Sequence, residues 1–168
     1  MWEPGNSSLV LELAIVQYIQ KWTKEAPYVA RLPKQHVHVV RRGDKQPAGV
    51  NILVVSARDT NQSWIYTPST GEFVGQPIME EFHNIAIIAK ADLRSGGVDS
   101  VETTAGVLKS LFSCPSNTDE RDELISMGVF NLFESEAGIT AFPGGVDDEG
   151  SFFSQALTLV CNTETIVR

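Results

Sequence analysis

Two cysteines in 168 residues are too few for a disulfide scaffold, and too few for a cysteine-built zinc module. Basic charge is also scarce. Thirteen Lys and Arg face 21 Asp and Glu, for a formal charge of −8. That balance excludes a dedicated nucleic-acid clamp, which needs a basic face to neutralise phosphates. Long apolar runs are missing. The stretch Leu9–Val16 is interrupted by Glu12 and is too short to span a bilayer. The N-terminus lacks the basic start and apolar stretch of a signal peptide, so both Cys114 and Cys161 are expected as reduced thiols. There is no G-x-S-x-G, no complete P-loop, no internal repeat and no low-complexity segment.

What is present is an ordinary core for one domain over residues 1–168. Hydrophobic residues make up 42% of the chain, and a chain of this length buries roughly 70% of its unfolded surface on folding. Residues 8–25 carry Leu11, Ile15, Tyr18 and Trp22 at helical spacing on one face. Ser7 or Ser8 is placed to cap this helix, and Pro27 ends it. The Tyr18/Trp22 pair reads as core aromatics rather than as a partner anchor.

HVHVVRR (36–42) alternates as a strand, GDKQPAG reads as a polar turn, and VNILVVSA (50–57) reads as a central strand; together they predict a β-hairpin. HNIAIIAKADL (83–93) is the clearest strand. A second helix follows, with Asp99 as cap, Glu102 three residues later, and Val101, Ala105, Leu108 and Phe112 as its buried stripe. NTDERDELISMG predicts a short helix started by Asn117 or Thr118 and ended by Gly128. VFNLFESE and SFFSQALTLVCN predict two last strands, with the acidic, turn-rich FPGGVDDEG between them. The fold expected is α+β: a mixed or antiparallel sheet of about five strands, two main helices packed on it and one short extra helix.

Residues 58–82 are the least regular part, an extended loop or arm with two prolines and two glycines. Glu72–Phe82 is placed to extend the next strand outward. Trp64, Tyr66 and Phe73 are its candidate interface residues, since aromatics anchor interfaces. The plain alternative is a surface loop whose aromatics tuck onto the core.

One constellation offers metal chemistry. His36 and His38 would share a strand face, and His83 would come from a neighbouring strand; three imidazoles can hold zinc and leave a fourth position for water. Histidines on the solvent face of an edge strand explain the same spacing. Arg94-Ser95-Gly96-Gly97 is a weak anion-binding pattern, and Glu80, Glu81, Asp147, Asp148 and Glu149 lack EF-hand spacing. No cofactor is expected.

The order of parts over residues 9–163 resembles the tail terminator (neck terminator or tail completion) proteins of tailed bacteriophages. The segments that carry it are LVLELAIVQYIQKW, the pair HVHVVRR and VNILVVSA, EFHNIAIIAKADL, GGVDSVETTAGVLKSLF, DELISMG leading to VFNLFESE, and SFFSQALTLVCN. The resemblance implies a virion structural protein, not an enzyme. It would form a six-membered ring on the head-proximal end of the tail tube, stop tube polymerisation and join tail to neck. Its partners would be copies of itself, the tail tube protein and a neck or connector protein, with DNA passing through the lumen and no membrane. Its location would be the virion, and the host cytoplasm during assembly. No catalytic residue is implied. The rival readings are another head–tail connector or tail-tube-related part, and a small metal-dependent enzyme using His36, His38 and His83.

Overall fold

A computed structural model describes residues 7–33, 37–40, 43–56, 61–64, 78–95, 97–113, 118–126 and 139–166. In chain order the elements are α1 (Ser7–Trp22), α2 (Tyr28–Arg31), β1 (Val37–Val40), β2 (Val50–Ser56), β3 (Asn61–Trp64) and β4 (Ile78–Asp92). They continue with α3 (Gly97–Phe112), α4 (Asp119–Ser126), β5 (Ile139–Ala141), β6 (Gly145–Val146) and β7 (Phe152–Ile166). The strands form one mixed sheet in the order β1-β2-β4-β7-β5. β3 continues the β2 column along β4, and β6 continues the β5 column along β7. The expected fold, about five strands wide with two long helices on it, is the one observed.

The sheet is built around the β4–β7 pair, antiparallel over 15 residue pairs from Ile78↔Ile166 to Asp92↔Phe152. Strict alternation makes it one-sided. Ile85, Ile87, Ala89 and Ala91 are buried, as are their partners or diagonal neighbours Leu159, Leu157 and Phe153. Val50, Ile52 and Val54 supply the same face from β2. α1 brings Leu11, Ile15, Tyr18 and Ile19 to this core, and α3 brings Ala105, Leu108, Leu111 and Phe112. Burying one such side chain contributes about 1.5–3 kcal/mol, so this shared face dominates stability. The helical stripes read from the sequence are therefore the observed ones, including every residue named on α3.

Several local readings change. β1 and β2 are parallel, with Val37 opposite Val50 and Val40 opposite Leu53, so they are not a hairpin. Residues 41–49 are long enough to return along a four-residue strand, and a tight hairpin turn would use only about 2–5. Asn51 secures the return, its Nδ2 donating to the Pro47 carbonyl at 2.9 Å. Gly49, at φ 112°, supplies the left-handed turn into β2. α3 begins at Gly97, two residues ahead of the expected Asp99 cap, which puts Asp99 in its first turn. FPGGVDDEG is not all turn, because Gly145–Val146 pairs with β7. β4 begins at Ile78, five residues before the expected His83, and so takes up the end of the 58–82 segment. α1 stops at Trp22, and one helical turn, α2, follows Pro27. VFNLFESE and Cys114 lie outside the described residues. No helix among the described residues is long and apolar enough to cross a membrane.

α4 starts as read. The Thr118 hydroxyl accepts from the Arg121 amide at 3.4 Å. α4 is tied to α1 through Glu123, whose Oε2 accepts from Lys21 Nζ at 2.7 Å and from Trp22 Nε1 at 2.8 Å.

Candidate functional site

Alternation that buries one sheet face leaves the other without a helix among the described residues. Its side chains fall in rows across the strands. The polar row is His38, Asn51, Lys90 and Ser154; the next is Val40, Leu53, Ile88 and Ala156; the third is Val55, Ala86 and Thr158. None of these belongs to the two hydrophobic clusters under the helices. Most are half-buried. The face is thus a small apolar band bounded by one polar row.

At the polar end, Gln46–Gly49, Asn51, Lys90, Asp92 and Phe152 enclose a 240 Å³ cavity. The Lys90 ammonium stands 4.4 Å over the Phe152 ring, a cation–π contact. Asn51 is 7% exposed, and its Oδ1 meets no hydrogen-bond donor among the described residues.

A second feature is the extension of the long strand pair. The helices' core residues meet β4 from Ile85 to Ala91, and the strand starts seven residues earlier at Ile78, about 24 Å away at 3.4 Å per residue. β3 joins there, with Asn61 opposite Phe82 and Trp64 opposite Met79. The result is a three-stranded antiparallel arm of β3, β4 and β7. Of the aromatics expected on an arm, Trp64 ends β3; Tyr66 and Phe73 lie outside the described residues.

The third feature is a pair of unlike edges. Beside β1, between α1 and α2, lies an open cleft of 710 Å³ that includes Val29, Leu32, Val37, Lys24 and Lys45. On the far edge, beyond β5, Phe142 is 49% and Val146 is 54% exposed. The turn from β6 to β7 follows, with Asp147, Asp148 and Glu149. Asp147 organises that turn: its Oδ1 accepts from the Ser151 amide at 2.7 Å and the Phe152 amide at 3.1 Å. The Phe152 N–H holds its carboxyl below the ordinary value of 3.8, with further help from the Ser151 amide and the Lys90 charge. Gly150, at φ 70°, closes the turn. The sequence reads this stretch as solvated loop charge and does not single out Phe142; the only signal is an aromatic followed by a Gly pair and three acidic residues.

The three histidines are not brought together. His38 pairs with Asn51, which pairs with Lys90; His83 lies seven residues along β4, roughly 23 Å away, on the helix-covered face. His38 belongs to the opposite face, and His36 lies outside the described residues. His83 does not join His38, because alternation gives the odd-numbered positions of β4 to the core and His38 to the other side. Among the described residues no group of three or more His, Cys, Asp or Glu is placed to hold a metal ion. In the stretch before α3, the Arg94 amide donates to Asp92 Oδ1 at 2.8 Å.

No protein-family model matches the chain, and no curated protein matches it.

Proposed function

We propose that the protein is a virion structural part, a tail terminator whose copies form a ring. The ring caps the head-proximal end of a phage tail tube, ends its polymerisation and joins the tail to a neck or connector protein. The observation that carries this reading is the three-stranded arm of β3, β4 and β7, which continues past the helix-covered core. An isolated strand extension gains little on its own, because each ordered residue costs about 1–2 kcal/mol of backbone entropy; contact with a neighbour offsets that cost. The apolar band on the sheet face that carries no helix among the described residues supports the same reading, because exposed apolar patches mark protein contacts. The charge of −8 suits a lumen through which DNA passes without being gripped.

Another head–tail connector is the alternative, and position separates the two. The test is to add the purified chain to polymerising tail tubes and image the ends. Tubes of fixed length with a ring at one end support the terminator reading. Tubes that grow on unchanged, with the chain bound instead at the neck, favour a connector. A chain missing from purified virions contradicts both.

A further inference from the structure

The two edges of the sheet differ in both shape and charge, and we infer that they are the two halves of one head-to-tail contact between copies of this chain. The inference rests on the reading of the protein as a ring former and names the surfaces that would close the ring.

One half is a knob. Phe142 is 49% exposed, yet its backbone is fixed. Its N–H donates to the Ala156 carbonyl at 3.0 Å, and its own carbonyl accepts from Gln155 Nε2 at 3.1 Å. Val146, 54% exposed on β6, pairs with Phe153 on the helix-covered face, so Phe142 alone forms the tip of the knob. The Asp147 hydrogen bonds lock the turn that follows, which carries the exposed Asp148 and Glu149. A rigidly mounted aromatic beside fixed charges loses little freedom on binding, which favours its use as an anchor.

The other half is a socket. The 710 Å³ cleft beside β1 has apolar walls from Val29, Leu32 and Val37. Lys24 and Lys45 also line it, with Asp44 as the one acidic group among its lining residues. A cleft of mixed polar and apolar lining, with two lysines against one aspartate, complements an exposed aromatic flanked by two carboxylates. Knob and socket lie on opposite edges of the sheet, four strand spacings or roughly 19 Å apart.

That separation decides the kind of assembly. A two-fold dimer built on either edge would set like charge against like, which opposes association. Knob into socket joins unlike surfaces, leaves one of each free, and repeats until rotation closes a ring.

The test uses sedimentation velocity of the full chain over rising concentration. The variants are Lys24→Glu/Lys45→Glu, Asp148→Lys/Glu149→Lys and Phe142→Ser, all at exposed positions, with circular dichroism to confirm that each folds. Wild type is expected to assemble. Each variant alone is expected to assemble at least tenfold more weakly. An equimolar mixture of the two charge variants is expected to recover, because each then meets a complementary neighbour. Charge variants that assemble like wild type, a mixture that stays apart, or a wild-type chain monomeric at every concentration would each overturn the inference. The first two results leave the terminator reading standing, since tube capping is measured separately.

Discussion

The Tyr18 hydroxyl donates to the Leu111 carbonyl at 2.7 Å, across 93 residues of sequence and inside the core. Leu111 lies in the last turn of α3, where carbonyls have no partner within the helix. Tyr18 therefore caps α3 from α1 while its ring packs on Phe112 at a centroid distance of 5.2 Å. Tyr18→Phe keeps the packing and strands a buried carbonyl. The expected loss is about 1–3 kcal/mol in denaturant melts. A change under a few tenths would mean that the carbonyl finds water.

Leu108 is fully buried between α3 and the sheet, in one cluster with Ile85 and Ile87. Leu108→Ala is expected to cost about 2–5 kcal/mol, because the cavity collapses only partly. The check is an equilibrium urea melt with unchanged slope.

Gly97 opens α3 hard against the end of β4. A Cβ there would sit 2.6 Å from the Asp92 carbonyl oxygen, and backbone cannot swing aside as a side chain can. Gly97→Ala is expected to destabilise by about 1–3 kcal/mol, although alanine favours helix. Gly106→Ala is the control, since nothing lies within 4 Å of a Cβ at that position. It should be neutral or stabilising in the same thermal melts.

Asp147 predicts an acid response. Its folded pKa lies below the ordinary 3.8. Its contribution is therefore complete above 3.8 and is lost as pH falls through the folded value. Amide exchange at Ser151 and Phe152 should accelerate over that acid range. Asp147→Asn removes the titrating charge, so the acceleration should vanish in the variant.

Much of the architecture was legible because burial leaves periodic marks. Leu11, Ile15 and Tyr18 wrote the inner face of α1, and Ile85, Ile87 and Ala89 wrote that of β4. Strand direction leaves no such mark. HVHVVRR and VNILVVSA alternate alike whether parallel or antiparallel, and the Asn51–Pro47 hydrogen bond that holds the connection has no signature in the sequence. β3 was missed because Asn-Gln-Ser-Trp has no apolar alternation, and β6 because two residues carry no period. The Asp99–Glu102 capping pattern pointed two residues late, since the close approach at Gly97 sets where α3 begins. The histidine triad failed on parity: His38 and His83 stand on opposite faces, which spacing within one strand cannot reveal. The knob at Phe142 and the cleft beside β1 depend on which edge strands meet solvent, and that is fixed only by the strand order.

The central claim is that copies of this chain form a ring that ends a tail tube. Native mass spectrometry of the purified protein, run alongside electron microscopy of its host particles, tests it most directly. A closed species of six times the 18.4 kDa subunit mass is expected, with a matching ring at the head-proximal end of each tail. A chain that stays monomeric both in solution and in intact tails would contradict it.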